Sequence, residues 1–81
     1  MINTREAITT ELVRVLEKVR GTKASPITLN THLITDLHLL SDDATEVCLM
    51  MQDKTGIKPP REEWAKVGTV GDVIDLLVKH A

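Results

Sequence analysis

The 81-residue chain has no phenylalanine and no tyrosine, a single tryptophan at Trp64 and a single cysteine at Cys48. Without aromatic bulk its core must be built from Leu, Val, Ile and Met, and aliphatic side chains at helical spacing suit a small bundle. One cysteine excludes an intrachain disulfide and makes a reducing compartment, the cytoplasm, the default expectation. An excess of positive charge is also missing. Ten Lys and Arg against twelve Asp and Glu leave a net charge of −2, so nucleic acid finds no electrostatic footprint. No apolar run approaches the ~18 residues that span a bilayer, and the stretch Met1 to Glu6 lacks the apolar centre of a signal peptide, so no membrane role is expected. The length fits one domain, 1–81, and 42% hydrophobic with 27% charged residues are ordinary values for a folded globular chain.

Helical periodicity supplies the architecture. Apolar residues at Ile8, Leu12, Val15, Leu16 and Val19 form one stripe, predicting a first helix from Thr4 to Arg20 with Asn3 as N-cap, Glu6 as its capping-box partner and Gly21 as the stop. The connection from Gly21 to Leu40 is long for so small a domain and must be pinned to the core. Ile27, Leu29, Leu33, Ile34, Leu37 and Leu39 are the expected pins, with a helical turn around Leu29 to Leu33 and an extended start at Ser25-Pro26.

A second helix is expected from Ser41 to Thr55, with Ser41 at the N-cap and Asp42 and Asp43 complementing the positive end of its dipole. Ala44, Val47, Cys48 and Met51 form its inward stripe, which leaves Leu49 or Met50 at least partly exposed. Gly56 suits the left-handed closing position, followed by Ile57 as its hydrophobic contact. Lys58-Pro59-Pro60 bars continuation, so Arg61 to Val67 is a short third helix at most. A last helix starts at Thr69, with Asp72 completing a capping box and Val70, Val73, Ile74, Leu77 and Val78 at core spacing.

Three main helices, a short third one and a long loop between the first two make an arrangement that resembles the acyl carrier protein family over essentially the whole chain. The sharpest point of likeness is the family's Asp-Leu-Gly-x-Asp-Ser-Leu-Asp-x-x-Glu, against which Asp36, Leu37, Ser41, Asp43 and Glu46 stand in register. Thr69-Val70-Gly71-Asp72-Val73-Ile74 is similar to the start of the family's last helix. Three positions depart from the pattern: His38 replaces glycine, Leu40 replaces the aspartate before the serine, and Asp42 replaces the leucine after it.

The resemblance implies an all-α fold of acyl-carrier-protein type that is not itself an enzyme. It also implies a 4'-phosphopantetheine arm esterified to Ser41, carrying an acyl or related group as a thioester. The implied partners are a phosphopantetheinyl transferase and acyl-transferring or synthase enzymes that dock basic surfaces on helix two, and the chain is expected to be a monomer. Asp36, Asp42, Asp43, Glu46 and Asp53, with no Lys or Arg among them, and the apolar Leu49 and Met50 are the expected partner-binding residues. An alternative is a carrier-shaped interaction module without a prosthetic group, Ser41 being only a helix N-cap. A hydrolytic triad of Ser41, His38 and Asp36 has no Gly-x-Ser-x-Gly elbow behind it, and His32, His38 and Cys48 match no recognised zinc spacing.

Overall fold

The computed structural model describes residues 4–20 and 27–81, the side chains of Arg20 and Ser41 excepted. Four helices follow in order: α1 (Arg5–Arg20), α2 (Ser41–Thr55), α3 (Arg61–Trp64) and α4 (Val70–Lys79). The fold is all-α, a four-helix bundle with one short member, and the described residues include one isolated antiparallel bridge, His32 to Thr69.

α1 is the spine, packing against both α2 and α4. Ile8, Leu12, Val15 and Leu16 are buried along one face, and Val19 packs at its edge. The first turn is closed by Thr4, whose Oγ1 accepts from the Ala7 N–H at 3.2 Å. The expected cap at Asn3, the stop at Gly21 and the extended Ser25-Pro26 lie outside the described residues.

α2 buries Val47, Met51 and Thr55, an i, i+4, i+8 row, while Ala44 and Cys48 are only half-buried. The inward stripe therefore lies rotated from the expected one. Thr55 explains the rotation: its hydroxyl donates to Met51 O at 2.6 Å and accepts from the Ile57 N–H at 3.1 Å, so a polar residue sits at the buried end with its hydrogen bonds made. Gly56 closes the helix in the left-handed region at φ 73°, its N–H donating to Gln52 O, and Ile57 tucks into the core behind it.

The loop before α2 is pinned by fewer residues than expected. Leu33, Leu37 and Leu39 are buried and Ile27 packs at the edge, but Leu29 and Ile34 are each 50% exposed. The helical turn lies at His32–Leu37 rather than Leu29–Leu33, with the N–H groups of Asp36 and Leu37 both donating to His32 O. His32 starts that turn because its ring acts as a cap: Nδ1 accepts from the N–H groups of Ile34 and Thr35, each at 3.2 Å, while Asp36 Oδ2 accepts from the His32 N–H at 2.7 Å. Turning Leu33 and Leu37 inward, four residues apart, carries Ile34 to the outside.

Backbone bonds fasten this loop to α4. Leu33 N–H donates to Gly68 O, Val70 N–H to Thr31 O and Gly71 N–H to Leu29 O, all at 2.9 Å. Leu29 thus contributes its carbonyl rather than its side chain, and Gly71 allows the approach, since a Cβ there would lie 3.1 Å from Leu29 O. α4 buries Val70, Val73, Ile74, Leu76 and Leu77. Val78, expected in the core, is on the surface, and Leu76 takes the inward place instead. α3 ends at Trp64 and continues only as turns to Val67, its Glu63 reaching Lys79 at 2.9 Å and His80 at 3.1 Å on the end of α4.

Candidate functional site

The junction of the loop with α2 is built differently from the expectation. Ser41 is the first helical residue, and the N-cap is Leu40, extended at φ −87° and ψ 169°. The cap falls one residue early because Asp43 Oδ2 accepts from the Leu40 N–H at 3.3 Å, the return half of a capping box. The forward half cannot be made, because a leucine side chain has no acceptor, and among the described side chains none caps this helix. The N-terminus of α2 therefore offers uncapped N–H groups at the residue that carries the serine hydroxyl. Leu40 itself is 71% exposed, an apolar side chain standing beside that opening.

The chain enters this junction through His38, whose φ of 58° is the one positive value outside glycine among the described residues. Its N–H donates to Ile34 O at 2.9 Å, so His38 is the left-handed residue that ends the preceding helical turn. The resemblance places glycine at this position, and the backbone supplies the reason: L side chains adopt this region at a cost that glycine avoids.

The acidic residues divide into two groups. Asp36 and Asp43 are committed locally, to the N–H groups of His32 and Leu40. Asp42, Glu46 and Asp53 are exposed on α2 and, with Leu49 at 61% exposure between the last two, follow i, i+4, i+7, i+11 spacing down one helical face. Met50 is half-buried and packs against the core, so of the two apolar residues expected at the surface only Leu49 stands fully out.

Beside this face lies an open groove of about 620 Å³ between α2 and α3, lined by Ala44, Cys48, Leu49, Pro59, Arg61 and Trp64 among others. Periodicity did not reveal it; the signal was Pro59-Pro60, which sets α3 off from α2 and lets Trp64 form its wall. Burial pushes the Cys48 thiol above its ordinary range, which lowers its thiolate fraction and its reactivity. Among the described residues no three His, Cys, Asp or Glu side chains group as a metal site, and no helix is long and apolar enough to cross a membrane.

Comparison with known proteins adds the following. No family model matches the chain. An acyl carrier protein of Rhodococcus erythropolis is 34% identical over 79 residues, 98% of this chain and 87% of that protein. A meromycolate extension acyl carrier protein of Mycolicibacterium smegmatis is 34% identical over 79 residues, 98% of this chain and 80% of that one. An acyl carrier protein of Lactobacillus acidophilus is 37% identical over 54 residues, 67% of this chain and 68% of its own length.

Proposed function

The chain belongs to the acyl carrier protein family, and from that premise we propose that it carries an acyl group as a thioester on a 4'-phosphopantetheine arm esterified to Ser41. The observation that carries the reading is the form of the α2 N-terminus: Ser41 is its first helical residue, behind an N-cap that has no acceptor. Free N–H groups and the positive end of the helix dipole suit a phosphodiester at that place. Had Ser41 been the N-cap, a structural role would have accounted for it; with Leu40 in that position, the cap-only account loses its footing. Asp42 opposes the fit, because it sets a like charge beside the phosphate. The groups present accommodate the arm, and that one carboxylate tunes how readily it is attached.

The arm supplies a thiol for the thioester; the chain supplies an attachment hydroxyl and a surface on which enzymes dock. The exposed row of Asp42, Glu46, Leu49 and Asp53 supports docking of a basic partner with an apolar centre, steered by opposite charge. Those partners are a phosphopantetheinyl transferase and the synthase or acyl-transferring enzymes that load and unload the thiol. The relative named for meromycolate extension supports lipid assembly as the setting, and the lone Cys48 supports the cytoplasm. On this reading the chain acts as one unit, a monomer with no catalytic residue of its own.

The test is direct. Incubation with coenzyme A and a phosphopantetheinyl transferase should add the mass of one phosphopantetheine to the wild type and none to Ser41→Ala. No gain with several transferases would instead leave a carrier-shaped interaction module that uses the acidic face of α2.

A further inference from the structure

We propose that Ile34 and Leu40, two exposed apolar residues of the loop leading into α2, form a docking surface for the transferase that attaches the arm. The inference rests on the carrier reading and adds a contact that lies off the acidic helix. Leu39 N–H donates to Leu33 O at 3.2 Å and His38 N–H to Ile34 O at 2.9 Å, so the preceding turn and the run into α2 lie side by side. Leu33 and Leu39, joined by the first of these bonds, are buried. The residue after each faces the other way: Ile34 is 50% and Leu40 71% exposed, and neither belongs to the core. Stability gives no reason for Leu40, since leucine is among the least favourable residues at an N-cap.

Position identifies the occupant. Leu40 adjoins Ser41, and consecutive Cα atoms stand about 3.8 Å apart, so an enzyme that closes on the Ser41 hydroxyl must also cover Leu40. Enzymes that load or unload the thiol work at the far end of the arm and are under no such constraint. Charge completes the description. From Ile27 to Asp53 there is no Lys or Arg, and Asp42 and Glu46, which follow Ser41 in the chain, are exposed. The fitting partner is a transferase with an apolar pocket for Leu40 and Ile34 and a basic rim that meets Asp42 and Glu46.

The test measures arm transfer from coenzyme A to Leu40→Gln and Ile34→Gln, as initial rates of mass gain over a range of carrier concentrations, with a transferase that modifies the wild type. Absence of any gain on the wild type with several transferases would overturn the carrier reading, and this inference with it, before a variant is compared. A docking contact is made before the chemical step as well as during it, so its loss raises KM and leaves kcat unchanged. Leu40→Gln should lower kcat/KM about tenfold and Ile34→Gln about threefold, and Leu40→Met, which conserves volume, should restore the wild-type value. Thermal melts should not move, because both side chains are exposed. Equal kcat/KM for wild type and Leu40→Gln, a loss confined to kcat, or no rescue by Leu40→Met would overturn the proposal while leaving the carrier reading in place. A wild-type dimer that Leu40→Gln dissociates in sedimentation would give the pair to a second copy of the chain and overturn it as well.

Discussion

Two helix N-termini in this small bundle are closed to different degrees. At α4 Thr69 Oγ1 accepts from the Asp72 N–H at 3.1 Å, and Asp72 Oδ2 accepts from the N–H groups of Thr69 and Gly68, each at 3.0 Å. Carbonyls of Leu29 and Thr31 take the N–H groups of Gly71 and Val70, so the start of α4 is saturated from within the fold. At α2 one bond of the same kind survives, from the Leu40 N–H to Asp43 at 3.3 Å, and the capping side chain is missing. The closed end anchors the loop; the open end, on our reading, is left for a ligand. On that reading, equal helix types serve stability at one end of the loop and arm attachment at the other.

The comparison predicts unequal costs of substitution. Asp72→Ala removes acceptors for two N–H groups and should cost about 1.5 kcal/mol, with Thr69→Ala near ~1 kcal/mol. For a domain of this size each kcal/mol lowers the thermal midpoint by about 4–8 °C. Asp43→Ala, by contrast, should cost under about 0.5 kcal/mol, because it breaks a single long bond at an end already open. Equal losses at Asp43 and Asp72 in thermal melts would break the distinction.

Leu40→Asp sharpens it from the other side. An aspartate at the N-cap supplies the missing acceptor, and chemical denaturation should show a gain of about 1 kcal/mol; no gain would mean that the first-turn N–H groups are already satisfied. His38→Gly should relieve the left-handed residue leading into the open end, for a net gain of about 0.5 kcal/mol once the greater freedom of unfolded glycine is subtracted. A clear loss would show that the imidazole makes stabilising contacts in the free protein.

Acid separates the two ends as well. The N–H groups of Thr69 and Gly68 hold the Asp72 carboxyl below its ordinary range. The folded state then binds that proton less readily than the unfolded state. The resulting stability is complete above the ordinary aspartate value of about pH 4 and is lost as pH falls through the lowered folded value. The stability gap between wild type and Asp72→Asn should therefore be widest near neutrality and close on acidification. A gap independent of pH would contradict this origin. Asp42→Leu should move stability least, within about 0.5 kcal/mol, since Asp42 is exposed. It should nevertheless speed arm transfer by a general transferase, measured as the initial rate of mass gain, and an unchanged rate would place the recognition determinant elsewhere.

Where side-chain chemistry acts locally, the sequence was readable. The Thr69–Asp72 box, the left-handed Gly56 with Ile57 behind it, and the α1 stripe each follow from spacing within a few residues. What could not be read required knowledge of partners distant in the chain. Leu29 serves through its carbonyl to Gly71, Leu76 displaces Val78 from the inward face, and Thr55 turns α2 by satisfying its own hydroxyl. The serine junction lies between these cases. Asp43, three residues after Leu40, is the local mark of a cap at Leu40, but the general preference of serine for the N-cap points one residue further on. The left-handed backbone at His38 had no local signal beyond the glycine that the resemblance placed there.

The central claim is that the open end of α2 is where the arm is attached, and peptide mapping after arm transfer tests it most directly. The chain has two serines, Ser25 and Ser41, and a protease that cuts before aspartate separates them, releasing residues 36–41 as one fragment. The account predicts the added phosphopantetheine wholly on that fragment and none on the one containing Ser25. An unmodified 36–41 fragment, after exposure to transferases that modify other carriers to completion, would contradict it.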